Sequence, residues 1–263
     1  MDPDESLRLP GIQEAWSLRL SPELAALRSK ALALHQERGP RPAPIPELTL
    51  CDAQSWAAYG GEDWLIWRAR RCAARLGCMP LEIEPGERVV GKPRFREPAR
   101  DEEEQLEAAR KVLGTMPPFP GGDAGHFHPD YDKLLRLGVG GILDEIDLKR
   151  GEAGLDPNKR TFYKACHIAL EGMAAYIRRV GEACREMAGQ LEGERSSWLH
   201  LAAMCRRLVR EPPRTFHEAI QFVFMTQVAL WFGEDHGLTA PGRLDQTLSR
   251  FYEADLAAGR ITR

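Results

Sequence analysis

No C-x-x-C pair occurs among the six cysteines of this 263-residue chain, Cys51, Cys72, Cys78, Cys166, Cys184 and Cys205. With no export signal ahead of them, this usage argues against a zinc ribbon or a disulfide scaffold and for reduced thiols in a cytoplasm. The opening residues, Met1-Asp2-Pro3-Asp4-Glu5, are acidic and unlike such a signal. Charge of one sign is also missing: a formal net charge of -3 and a pI near 6.2 give no reason to expect nucleic acid or an anionic membrane surface as partner. The most apolar stretch, Phe216 to Phe232, is interrupted by His217, Glu218, Gln221 and Gln227, which speaks against a membrane span. No internal repeat is visible. What is present is 43% hydrophobic residues, enough for a real core.

The hydrophobic spacing predicts helices separated by proline and glycine. Ser21 with Pro22 starts one as N-cap and first helical residue, and Gly39-Pro40 ends it. Arg41-Pro42-Ala43-Pro44-Ile45-Pro46 favours extended backbone and reads as a surface linker, which divides the chain into residues 1–46 and 47–263. Glu62 to Leu76 is expected to be helical, stopped by Gly77 and Pro80. Leu81 to Ile83 and Arg88 to Val90 are short strand candidates around Pro85-Gly86, the one β-signal in the chain. Asp101 with Glu104 would cap a helix through Leu113, Met116 to Gly122 reads as loop, and Ile142 to Lys149 as a short helix. Asp156-Pro157 starts the longest helix, running to about Leu191 with an apolar stripe of Phe162, Ala165, Ala169, Met173, Tyr176, Ile177 and Val180. Thr215 with Glu218 is a capping box after Pro212-Pro213, opening a helix apolar on nearly every face, as suits one buried in a large protein. Gly233 would stop it, Pro241-Gly242 makes a turn, and Leu244 to Ala258 reads as a further helix closed by Gly259.

Four segments carry a resemblance beyond this helical pattern. They are Met79-Pro80-Leu81-Glu82-Ile83-Glu84-Pro85-Gly86-Glu87-Arg88-Val89-Val90-Gly91, then Gly125-His126-Phe127-His128-Pro129-Asp130-Tyr131-Asp132-Lys133-Leu134-Leu135, then Phe162-Tyr163-Lys164-Ala165, and last Pro213-Arg214-Thr215-Phe216-His217-Glu218-Ala219-Ile220-Gln221 with Gly242-Arg243-Leu244-Asp245-Gln246 and Phe251-Tyr252. In this order they resemble the pyruvate formate-lyase-like domain of glycyl radical enzymes, over roughly Asp63 to Thr262. The resemblance implies a mainly α fold with minor β, the N-terminal helical part of a domain built around a ten-stranded α/β barrel. It implies thiyl-radical hydrogen abstraction from a small polar substrate, no dissociable organic cofactor but a glycyl radical in the full-length enzyme, activation by a separate radical SAM enzyme, and a homodimer.

The two radical-bearing motifs of that family have no counterpart where they are expected: a cysteine loop resembling G-C-x-E and a C-terminal R-V-x-G-[YF] loop. Arg88-Val89-Val90-Gly91 spells R-V-x-G, but Lys92 follows and the run belongs to the P-G-E segment. Cys184-Arg185-Glu186 spells C-x-E inside a predicted helix, and Gly77-Cys78 lacks the acid. No catalytic residue is therefore assigned.

Substrate binding is the chemistry the sequence can carry. Tyr163, His167 and Glu171 recur every four residues and rise along one helical face. In relatives with small polar substrates this part of the domain lines the cavity, and a tyrosine followed eight residues later by an acid suits a hydroxylated or cationic ligand better than a keto acid. His126 is the other expected wall residue, a hydrogen-bond partner for a hydroxyl or carboxylate. Exposed polar side chains, or a histidine bracing a loop, would give the same pattern. Arg243 and Asp245 read as a structural pair. His126, His128, Asp130, His167 and Glu171 have ligand-type side chains, but no H-E-x-x-H or paired E-x-x-H motif completes a site, and no metal is assigned. Three readings follow. The first is a fragment of a glycyl radical lyase or dehydratase, inactive without its C-terminal remainder. The second is a stand-alone non-catalytic binding or regulatory module, or one half of a split enzyme. The third is an independent helical metal enzyme. The chain's stop at Gly259-Arg260-Ile261-Thr262-Arg263, where the family motif leads into its next helix, favours the first.

Overall fold

The computed structural model describes residues 21–38, 44–117, 126, 128–152, 154–237 and 239–262. Contacts divide the chain into two compact units, Met1–Ala43 and Pro44–Arg263. In the first, α1 (Pro22–Arg38) begins as the sequence predicts, with the Leu24 N–H donating to Ser21 Oγ at 3.3 Å. Gly39-Pro40 and residues 41–43 of the expected linker lie outside the described residues.

The second unit is helical: α2 (Pro46–Tyr59), α3 (Trp64–Cys78), a 3-10 turn (Arg100–Glu102) leading into α4 (Glu103–Leu113), α5 (Tyr131–Arg150), α6 (Pro157–Gln190), α7 (Arg195–Leu208), α8 (Phe216–Val228) and α9 (Leu244–Ala257). Its centre is α6, which packs against α3, α5 and α7. Asp156 caps it, accepting from the N–H groups of Asn158 and Lys159 at 2.9 and 3.2 Å, and Pro157 fits the first turn because it has no N–H to leave unpaired. Met173, Ala174, Tyr176, Ile177, Val180 and Cys184 are buried along its inner face, while Phe162, expected in that stripe, is 52% exposed. Each large apolar side chain taken fully from water contributes about 1.5–3 kcal/mol, so the middle of α6 anchors the core.

Several predicted elements change. Pro46 opens α2 at its first turn instead of closing an extended linker, and Ile45 and Pro46 are buried. The expected Ile142–Lys149 helix is the second half of α5, which begins eleven residues earlier behind the Asp130 cap and kinks at Gly138 (φ 67, ψ 178). That glycine is required: a Cβ there would lie 2.7 Å from the backbone of Glu211 and Pro212. The strand candidates form only an isolated antiparallel bridge between Leu81 and Pro93 among the described residues. Val90 is instead held by a side chain, since Gln221 accepts from its N–H at 2.9 Å and donates to its carbonyl at 2.7 Å. Asp101 does not cap α4; the Glu102 carboxylate accepts from the Ala99 N–H at 2.8 Å. α2 has no counterpart in the sequence reading, and neither does α7.

The Thr215–Glu218 capping box forms, with both reciprocal bonds at 3.2 Å. The buried Asp255 of α9 adds a third acceptor, taking the Phe216 N–H at 2.9 Å. α8 then widens into a π turn over Ala229–Gly233 before it stops. The extra width brings the Phe232 carbonyl to Arg75 Nε at 2.6 Å and seats Gly233 on α3, where a Cβ would meet Cys72 Sγ at 3.0 Å.

Candidate functional site

Tyr163, His167 and Glu171 lie on α6 in the predicted register, each half-buried. Their position is set by the closest helix crossing in the fold. Next to Glu171, Gly172 meets α3 so tightly that a Cβ would come within 2.5 Å of Ala73 Cα, and a small cluster of Ile66, Ala69 and Ala165, flanked by Ile168 and Ala169, fills the space beside it. The polar residues are thus held on a rigid helix backed by packed side chains.

His167 and Glu171 each meet a residue from outside α6. His167 Nδ1 approaches Asp147 Oδ1 of α5 at 3.0 Å, without the alignment of a hydrogen bond, so this buried nitrogen keeps an unused hydrogen-bonding position. Glu171 takes a single bond from Arg210 Nη2 at 3.0 Å, and both side chains remain partly exposed. Tyr163 packs edge-on against Phe162, with ring centroids 5.6 Å apart. Beside them a cleft of about 400 Å³ is lined by Asp147, Arg150, Gly151, Arg160 and Lys164, a wall with more cations than anions. Asp147 belongs to both the cleft and the His167 contact, and so joins the two.

Asp147, Arg210 and the Arg160/Lys164 pair were missed in the sequence reading. Arg160 and Lys164 flank Tyr163 at helical spacing, so that signal was available. Asp147 and Arg210 reach this face only through tertiary contact, and no local pattern marks them. His126 is exposed, lies among residues outside the described set, and has no hydrogen bond or ion pair among the described residues. His128 braces a turn: its Nδ1 is 3.1 Å from the Ala240 carbonyl, and its ring lies against Gly242, whose φ of 69 leaves room for it. Among the described residues no three His, Cys, Asp or Glu side chains converge as metal ligands.

The remaining sequence features are architectural. Cys184 is buried within α6, and the buried Gly91 (φ 114) accepts from Tyr176 Oη at 2.6 Å, so neither the thiol nor the glycine of these two look-alikes is presented to solvent. Arg243 and Asp245 form a two-bond exposed pair at 3.0 and 2.8 Å at the start of α9. An ionic cluster with buried arginines and a half-exposed aspartate was not anticipated. Arg71 and Arg75 of α3 both bind Asp52 of α2 and Asp235 beyond the π turn, and Asp235 takes a left-handed φ of 56 to reach them. Nearby, burial raises the Glu234 carboxyl above its ordinary value, and Arg68, bonded to it at 2.6 Å, offsets only part of that rise.

Residues 96–263 match the family model described as pyruvate formate lyase-like. The isethionate sulfite-lyase of Nitratidesulfovibrio vulgaris is 35% identical over 143 residues, covering 51% of this chain and 17% of that one. A Roseburia inulinivorans structure concerned with 1,2-propanediol dehydration superposes with a TM-score of 0.75 at 21% identity, over 90% of this chain and 35% of that one. A glycyl radical enzyme of Archaeoglobus fulgidus gives 0.71 at 25% identity, over 85% and 37%. The matched region is therefore under a fifth of that curated relative's length and about a third of those solved chains. The helices, the ordered motifs and these matches together place the chain in the pyruvate formate lyase-like family of glycyl radical enzymes.

Proposed function

We propose that this chain is the N-terminal helical portion of a glycyl radical lyase or dehydratase, with residues 47–263 forming part of its barrel domain and residues 1–46 a preceding segment. The observation that carries the reading is the α6 face, where Tyr163, His167 and Glu171 stand in register on a helix locked by Gly172 against α3. A preorganised polar wall of this kind orients a small substrate with hydroxyl or charged groups. In this reading Tyr163 donates to a substrate oxygen, Glu171 accepts from a hydroxyl or faces a cation, and the part of the His167 ring that Asp147 leaves exposed gives a further polar contact. His126 joins the wall from the segment before α5.

Hydrogen abstraction belongs to the family's cysteine loop, which has no counterpart in this sequence, and the radical glycine lies outside it as well. The chain alone is then silent, binds no dissociable cofactor, and depends on a C-terminal remainder, on a radical SAM activating enzyme and on dimerisation in a cytoplasm. The test is reconstitution with a polypeptide carrying both loops and with the activating enzyme, under anaerobic conditions. A glycyl radical signal and turnover of a small polyol or sulfonate that require this chain support the reading. A radical enzyme equally active without the chain refutes it and leaves a non-catalytic binding role.

A further inference from the structure

A second cleft, of about 530 Å³, lies away from the α6 face, between the 81–93 segment and helices α7 and α8. It is walled by Arg88, Ser196, Ser197, His200 and His217, over the aliphatic side chains of Leu201 and Ile261. None of the residues lining it is acidic. Glu194, at the adjoining end of α7, is turned to other donors, accepting from the Gly86 N–H at 3.0 Å and from Trp198 Nε1 at 3.1 Å. The neighbouring Glu218 is held by Arg207 and by the N–H groups of its own capping box.

The two imidazoles lie nearly parallel, 25° apart with centroids at 6.2 Å. His217 Nε2 is 2.6 Å from the Arg88 carbonyl, which can only accept, so Nε2 carries the proton. This bond ties α8 to the 81–93 segment through the Arg88 backbone and leaves its guanidinium unused. That guanidinium makes no ion pair or hydrogen bond among the described residues. The Arg88 guanidinium, the hydroxyls of Ser196 and Ser197 and the His200 ring bring hydrogen-bond donors to a concavity with no carboxylate in its lining, while His217, its Nε2 proton spent on the Arg88 carbonyl, braces the Arg88 backbone.

We propose that this cleft binds an oxyanion, a phosphate or sulfate group. The guanidinium supplies a planar pair of donors, and the serine hydroxyls supply two more. The site is separate from the α6 face and does not depend on the radical reading.

The experiment is a titration of the full 263-residue chain with inorganic phosphate at constant ionic strength, following the ring-proton resonances of its seven histidines by NMR. The result expected is saturable movement of the His200 and His217 resonances together, at roughly millimolar phosphate, with those of His126, His128, His167 and His236 unmoved. Arg88→Gln keeps the backbone carbonyl that His217 uses and should weaken binding about tenfold, the value of one charge-assisted bond. His200→Gln, at an exposed position, should weaken it comparably without changing the melting temperature. Unsaturable drift shared by all histidines, or phosphate binding indifferent to Arg88→Gln in a folded protein, would overturn the proposal.

Discussion

Single side chains set two measurable chemical properties. Arg96 grips Glu102 through paired bonds of 2.6 and 2.7 Å, and the Ala99 N–H adds a third, so the carboxyl falls from an ordinary 4.5 to about 2. Because the folded value is the lower one, the folded state favours the carboxylate where the unfolded chain would take up a proton. Its contribution is complete above about pH 4.5 and is lost as pH falls towards 2. Glu102→Gln should therefore melt at a lower temperature than the parent at neutral pH, with the gap closing in acid; a gap independent of pH would contradict the assignment. Burial acts oppositely on Cys72, pushing its thiol up to about 12. In native protein at mildly alkaline pH, iodoacetamide should modify the half-buried Cys166 before the buried Cys72, as read by peptide mass spectrometry. Early labelling of Cys72 would show that α3 does not bury it against Gly233.

Among the elements, close backbone approaches account for what could and could not be read in advance. α6 and α8 were legible because their caps, Asp156-Pro157 and Thr215 with Glu218, are local in sequence and their apolar residues recur at helical spacing. α5 was only half legible. Its first half was not read: the chain is helical from Tyr131, kinks at Gly138, and resumes with the Gly140 N–H on the Arg210 carbonyl at 2.9 Å. α7 carries its stripe openly, with Trp198, Leu201, Ala202, Cys205 and Leu208 buried, and was simply not recognised. The short strands failed for a tertiary reason: Gln221, from a segment over a hundred residues away, satisfies the backbone of Val90 that a sheet would have used. Gly172→Ala should cost about 1–3 kcal/mol, because the clash is with the Ala73 backbone and only separating α6 from α3 relieves it. Thr215→Ala should cost about 1 kcal/mol through loss of the cap. Denaturant titration checks both, and a neutral Gly172→Ala would mean that the crossing is looser than the structure shows.

For the molecule as a whole, the division between architecture and chemistry runs along the shared motifs. Two residues of the segments that resemble the family, Glu218 and Gln221, bind backbone, whereas Tyr163, His167 and Glu171, proposed for substrate, lie on one face of α6. Half of that site was legible, since spacing alone aligned Tyr163, His167 and Glu171. The partners Asp147 and Arg210 were not, because they come from α5 and from the segment after α7. In the reconstituted enzyme, Glu171→Gln should raise KM or abolish turnover while leaving the yield of glycyl radical unchanged. Loss of the radical itself would instead make Glu171 structural. The central claim is that these helices serve chemistry carried on another stretch of polypeptide, and the most direct measurement is the coding sequence that follows the codon for Arg263. The account predicts a reading frame, continuous or adjacent, encoding a G-C-x-E cysteine loop and then an R-V-x-G-[YF] glycine loop. A locus with neither would contradict it and make a helical binding protein the better description.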